Sequence, residues 1–151
     1  VIIIEGSDHL GKTTYSQKVQ KNGFKYRHMS KPEPDFDYRS YSWGGNYVFD
    51  RHFLGGYVYG YVLELHPVVP DFTDAFRMNC DLLKSSKSQL VIIYTTDLSW
   101  YSDHLDKGKP EMFNKEQIMA ANDVFRWLAQ HYLARRSLAI DIRNGKFYNA
   151  H

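Results

Sequence analysis

Val1-Ile2-Ile3-Ile4-Glu5-Gly6-Ser7-Asp8-His9-Leu10-Gly11-Lys12-Thr13-Thr14 decides the fold of this chain. Val1–Glu5 is a run of four branched aliphatic side chains closed by a Glu, the pattern of a strand covered on both faces in a parallel sheet. Gly6–Gly11 is rich in turn formers. Lys12–Lys21 then reads as a helix, stopped by Asn22-Gly23. The chain opens at Val1, without Met, inside this strand, and a few leading residues are expected to precede it.

The loop matches G-x-x-x-x-G-K-[ST] at every fixed position, with the strand before it and the helix after it that the motif requires. Gly6 and Gly11 let the backbone turn tightly, so that successive N–H groups point inward at phosphate oxygens. The helix beginning near Lys12 adds its positive end. Lys12 is expected to reach the β- and γ-phosphates, and the Thr13 hydroxyl to coordinate Mg²⁺. Asp8 is the informative variable position. A carboxylate inside an anion cradle is costly unless something uses it, such as a sugar hydroxyl of an acceptor; otherwise it is a solvated turn former.

Working outward, Phe24–Met29 alternates and suits a second strand, and Asn46–Asp50 a third. Lys31–Gly45, with two Pro and two Gly, reads as loop. Phe53–Leu65 is predicted helical despite Gly55, Gly56 and Gly60. Asp71–Leu83 is a further helix and Leu90–Thr95 another buried strand. Asn114–Leu133 is the clearest helix: Asn114 and Gln117 form a capping box, and Ile118, Ala121, Phe125, Leu128 and Tyr132 make one stripe. Leu138–Ile142 is the last strand. Strands alternating with helices predict an α/β fold, a parallel sheet with helices on both faces, whose ligands bind at the carboxyl ends of the strands.

Composition sets the bounds. The chain has 151 residues, 43% hydrophobic and 24% charged, as expected of one globular domain rather than a disordered chain. A net charge of +2 permits an anionic substrate without singling out nucleic acid, and no basic run tracks a phosphate backbone. One cysteine, Cys80, excludes an internal disulfide. The seven histidines lack metal-ligand spacing. Apolar runs are too short to span a membrane and no signal peptide is visible, so a cytoplasmic protein is expected.

Tyr47-Val48-Phe49-Asp50-Arg51-His52 places an acid and a base directly after an apolar strand. Asp50 at the strand end suits a Mg²⁺-bound water or the attacking oxygen. Arg51 suits an acceptor phosphate. A structural Asp–Arg pair is the plainer reading. Asp97 and Asp141 are rival metal-site acids.

Glu5-Gly6-Ser7-Asp8-x-x-Gly11-Lys12-Thr13-Thr14, with Asp50-Arg51-His52 and Tyr59 downstream, resembles the thymidylate kinases and related P-loop nucleoside monophosphate kinases, above all the small phage-type members. The resemblance implies a three-layer P-loop NTPase fold with a five-stranded parallel sheet, spanning residues 1–151 as one domain with a short lid region at about 98–114. It implies ATP and Mg²⁺ as cofactors and a nucleoside monophosphate, dTMP first, as acceptor. Gly6, Ser7, His9, Leu10, Gly11, Lys12, Thr13 and Thr14 would bind the donor nucleotide. Thr13 and Asp50 would hold the metal, with Lys12, Asp50 and Arg51 catalytic. Asp8, Arg51, Tyr59 and Arg39 would meet the acceptor, Asp8 near its sugar 3′-hydroxyl and Tyr59 near its base. Arg143, in Asp141-Ile142-Arg143-Asn144-Gly145, would lie on the donor adenine. A homodimer is also implied.

The chain departs from the family in three places. Lys31–Gly45 is shorter than the usual segment there, and Gly60 stands where the family often has Gln. Residues 78–125 contain no arginine, leaving Lys107 and Lys109, or Arg77 and Arg126, for the charge a lid arginine would carry. A kinase with a hydroxyl acceptor, or a nucleotide-binding module without efficient transfer, are the competing readings.

Overall fold

Six strands form one sheet in the order β2-β3-β1-β4-β5-β6. The computed structural model describes residues 1–28, 46–63, 88–105, 113–133 and 137–150. Within them β1 is Ile2–Gly6, α1 Lys12–Gln20, β2 Lys25–His28, β3 Tyr47–Asp50, α2 Phe53–Leu63, β4 Gln89–Tyr94, α3 Leu98–Leu105, α4 Lys115–Trp127, β5 Ser137–Arg143 and β6 Lys146–Asn149. The expected helix Asp71–Leu83 lies outside the described residues, as do Arg39, Arg77, Lys107 and Lys109.

Strands β1 to β5 are mutually parallel, as their alternation with helices predicts. Ile3 and Ile4, neighbours that point to opposite faces, are both fully buried, so both sides of β1 are covered. Helix α1 packs on β1, β2 and β3, whereas α2 and α4 pack on each other and on β1, and α4 also on β4. The central strand β4 is buried from Leu90 to Tyr94.

The sheet has a sixth strand where five were expected. β6 runs antiparallel to β5, with Arg143 opposite Lys146. The turn between them is Asn144-Gly145, at φ 50° and 77°. Two successive left-handed residues are what a two-residue hairpin with the twist of its strands requires, and Asn-Gly supplies them at little cost.

Helix α4 starts as its sequence predicts. Gln117 N donates to the Asn114 side chain at 2.8 Å, and Asn114 N donates to the Gln117 side chain at 3.0 Å. Its buried face carries Ile118, Ala121, Asn122 and Phe125. Asn122 is the polar member: its amide accepts from Thr95 N at 2.9 Å and donates to Thr95 O at 3.1 Å, pinning the end of β4 to the helix. After Trp127 the helix widens into one π-turn, Leu128–Tyr132.

Register positions the site. Ile4 pairs with Asp50 across β1 and β3, and Asp50 with His28 across β3 and β2. The carboxyl ends of these strands therefore converge beside the loop that leaves β1 at Gly6.

Candidate active site

Gly6 leaves the sheet at φ 153°, where a Cβ would sit 2.3 Å from the Ile93 carbonyl oxygen, so no side chain fits. Gly11, at φ 79°, is the N-cap of α1. Between them His9 also takes a left-handed conformation, φ 63°. Leu10 is fully buried and anchors the loop in the core, leaving only its backbone to a ligand. His9, Thr13 and Thr14 are exposed. The first turn of α1 itself carries no acidic residue to offset the positive end of the helix.

Lys12 lies along the loop, its Nζ donating to the Ser7 carbonyl at 2.6 Å. Burial lowers its pKa to about 8, against the pull of Asp50 and Glu5. The ammonium is thus held in a low-dielectric site, bonded to a neutral carbonyl and 4.0 Å from the Asp8 carboxylate. An anionic phosphate would restore its preference for the charged form.

Asp50 is fully buried at the end of β3. Its Oδ2 accepts from Thr13 Oγ1 at 2.8 Å and from Tyr26 OH at 2.9 Å, and His28 Nδ1 lies 3.3 Å away. Its Oδ1 is buried with no hydrogen-bond partner. Burial and the Asp50 bond push the Tyr26 phenol up to about 12, so it stays a donor. The loop hydroxyl and the strand-end carboxylate predicted to share a metal are therefore in contact.

Arg51 does not pair with its neighbour Asp50. Its guanidinium forms an ion pair with Asp8 of the loop, and lies 5.8 Å over the Tyr59 ring. Arg51 is what uses the Asp8 carboxylate. Its backbone is left-handed, φ 73°, and is fixed by Arg51 N donating to Ile4 O at 2.8 Å. Glu5 secures the next step: its Oε1 accepts from His52 N at 2.8 Å and Gly55 N at 3.0 Å, capping the start of α2. Burial raises the Glu5 pKa to about 7, and lowers that of His52 to about 3.

Comparison with solved structures shows what this arrangement is built on. The YorR protein from Bacillus subtilis, in complex with phosphorylated GDP, matches with a TM-score of 0.68 at 18% identity, over 96% of this chain and 86% of that one. Deoxyadenosine kinase from M. mycoides with bound dATP matches with a TM-score of 0.54 at 16% identity, over 93% and 90%. The same enzyme with products dCMP and dCDP gives 0.52 at 17%, over 94% and 88%. The fold is that of the P-loop kinases. No protein-family model matches the chain, and neither does any curated protein sequence.

In the P-loop kinase fold seen here, the predicted residues are not all in one place. Lys12, Thr13, Asp50, Asp8, Arg51 and Tyr59 converge on the loop. Tyr59 is 4% exposed, and its hydroxyl accepts from Asp8 N at 3.1 Å; it touches the phosphate loop itself rather than opening toward a base. Arg143 stands apart on the β5–β6 hairpin, half exposed, stacked 4.1 Å over Tyr148 and 3.6 Å from Asp141. Asp141 accepts from Thr96 N and Oγ1, and Asp97 from Asn144 N, so these rival acids brace the hairpin. Ser7 bonds Tyr101 OH at 2.6 Å.

Sequence reading missed Tyr26, His28, Tyr101 and the hydrogen-bonding role of Glu5. Only Glu5 carried a signal: a carboxylate at the end of a strand buried on both faces needs donors.

Among the described residues no helix is long and apolar enough to cross a membrane, and no three His, Cys, Asp or Glu side chains cluster as a metal site would.

Proposed function

We propose that this chain transfers the γ-phosphoryl of ATP to a nucleoside monophosphate, dTMP being the acceptor the sequence resemblance favours. The observation that carries the reading is the junction of loop and strand end. Lys12 is parked on a loop carbonyl, and Thr13 is bonded to one oxygen of Asp50 while the other has no hydrogen-bond partner.

That free, buried oxygen fits a cation, and Thr13 and Asp50 are the residues that would hold Mg²⁺. Bound there, Mg²⁺ would neutralise charge on the β- and γ-phosphates. The chain's own groups do the rest. Loop N–H groups and the α1 N-terminus receive the phosphates, and Lys12 exchanges the Ser7 carbonyl for phosphate oxygens. Arg51, tethered to Asp8, keeps further N–H donors, and its Nε is buried without a hydrogen-bond partner. A planar fork so placed suits an acceptor phosphate facing the γ-phosphate. Transfer then needs alignment and charge stabilisation, with no covalent intermediate. The exposed face of Arg143 on the β5–β6 hairpin is the proposed seat of the donor base.

One observation favours a second reading, a hydroxyl acceptor. Asp8 places a carboxylate beside the loop that Arg51 keeps ionised, able to accept a hydrogen bond from a nucleoside hydroxyl. Asp50, the other carboxylate beside the loop, is fully buried among Thr13, Tyr26 and His28. Deoxyadenosine kinase, with the same fold, is by its name a kinase of a nucleoside.

A coupled ADP-release screen decides. ATP–Mg²⁺ is offered with dTMP, the other nucleoside monophosphates, nucleosides and single-stranded DNA, with Lys12→Ala as control. Release with one monophosphate, lost in the control, supports the first reading. Release with nucleosides alone moves the assignment to the second. Silence on every acceptor, with ATP still bound, leaves a nucleotide-binding module and refutes both.

A further inference from the structure

The Ser7–Asp8 peptide is gripped by side chains from outside the loop. Ser7 Oγ lies 2.6 Å from Tyr101 OH, and the Asp8 carbonyl accepts a hydrogen bond from that same hydroxyl. Asp8 N donates to Tyr59 OH at 3.1 Å. One phenolic proton suffices on the Tyr101 side, since the Ser7 hydroxyl can donate to Tyr101 while Tyr101 donates to Asp8.

Both rings are rigidly placed. Tyr101, on α3, is fully buried. Tyr59, on α2, stacks on Phe113 at 4.5 Å and meets Phe125 edge-on at 6.4 Å. Each hydroxyl is therefore a polar tip fixed by its apolar body. The loop has need of such holds. His9, the residue after the gripped peptide, is left-handed without being glycine, a conformation that persists only where surroundings enforce it.

We infer that Tyr101 and Tyr59 are positioning residues for phosphoryl transfer, clamping the Ser7–Asp8 peptide from α3 and α2 so that the phosphate loop is shaped before nucleotide arrives. The inference rests on the donor-site reading above. Lys12 also holds Ser7 in the structure, through its carbonyl. When Lys12 moves to the phosphates that hold is given up, and the two phenols remain. Loss of a phenol then lowers the fraction of loop competent to bind, so apparent affinity falls in proportion, and it leaves the loop looser around bound phosphates, so their alignment for transfer suffers even at saturation.

The test uses the full chain. Tyr101→Phe and Tyr59→Phe keep the rings and remove only the hydroxyls. MgATP affinity is measured by calorimetry, turnover at saturating MgATP by ADP release, and thermal unfolding without ligand as the structural control. Tyr101→Phe should weaken MgATP about tenfold and Tyr59→Phe about threefold, the range for lost hydrogen bonds. Turnover should stay reduced at saturating MgATP while the acceptor KM is unchanged. The double variant should lose less than the product of the two, because both hold the backbone of one residue, Asp8. If Tyr101→Phe does not fold, Ser7→Ala removes the loop's half of the same contact and should weaken MgATP about threefold. Folded Tyr→Phe variants that bind MgATP within twofold of wild type, while Lys12→Ala does not, overturn the clamp and leave the donor site standing. Wild-type protein that fails to bind MgATP overturns the donor-site reading, and the clamp with it.

Discussion

Replacing Glu5 by Gln isolates the energetic consequence of burying a carboxylate under the phosphate loop. In the folded chain its pKa is raised from 4.5 to about 7, chiefly by burial. Below pH 4.5 the group is protonated in both folded and unfolded states. Between 4.5 and 7 the folded state alone keeps its proton, so rising pH removes stability. Above 7 both states are ionised and the loss is complete. A gap of about 2.5 pH units, at about 1.4 kcal/mol each, makes that loss roughly 3 kcal/mol. Glutamine keeps a carbonyl to accept from His52 N and Gly55 N, and it does not titrate. Its NH₂ takes the place of Oε2, which has no hydrogen-bond partner, a cost that does not vary with pH. His52, with its pKa lowered to about 3, adds stability as pH rises from 3 to 6.5, the opposite slope. That term is common to both proteins and cancels in their difference. Urea unfolding of wild type and Glu5→Gln at half-unit steps from pH 4.5 to 8 should show the variant gaining about 3 kcal/mol on wild type by pH 7. Parallel stability curves, or a variant losing ground as pH rises, would refute the account of Glu5 as a carboxylate whose burial outweighs its two N–H donors and the nearby Arg51 and Lys12 charges.

Three further outcomes follow from the same geometry. Arg51→Ala should raise the acceptor KM by the equivalent of about 1.5–3 kcal/mol, read from steady-state kinetics with each substrate varied; MgATP binding should weaken as well, because Asp8 is left without its guanidinium beside the phosphates. An unchanged acceptor KM would point to the hydroxyl acceptor. MgATP affinity should fall as pH rises through about 8, where Lys12 in the empty site loses its proton, and calorimetry of Lys12→Met should show no such step. Lys12 has the opposite influence on folding: its pKa is lowered from 10.5, so its contribution to stability grows as pH rises from 8 to 10.5. Gly6→Ala should destabilise by more than about 2 kcal/mol, because the new methyl meets the Ile93 carbonyl at a backbone angle alanine avoids; chemical denaturation would check it.

Contiguous motifs were legible. The strand–loop–helix of Val1 to Gln20 and the Asn114–Gln117 capping box each lie within one short segment, so the residues that cooperate are neighbours in the chain. The β5–β6 hairpin carries an Asn144-Gly145 signal, but a turn between paired strands and a turn at a strand's end look alike over four residues, so the sixth strand is not readable from it. Helix α3 is eight residues long, too short for periodicity to separate from the loop around it.

The sequence by itself determined that a phosphate-binding loop would stand at the end of a buried parallel strand, since local backbone preference and hydrophobic burial act within that segment. Only the tertiary structure decided what surrounds it. Tyr101 reaches Ser7 across 94 residues, Tyr26 reaches Asp50 across 24, and Arg51 chooses Asp8 over the acid beside it. Such pairs leave no mark in either segment. They arise from parallel register, which brings strand ends together, and from helix packing, which aims particular hydroxyls and charges at the loop.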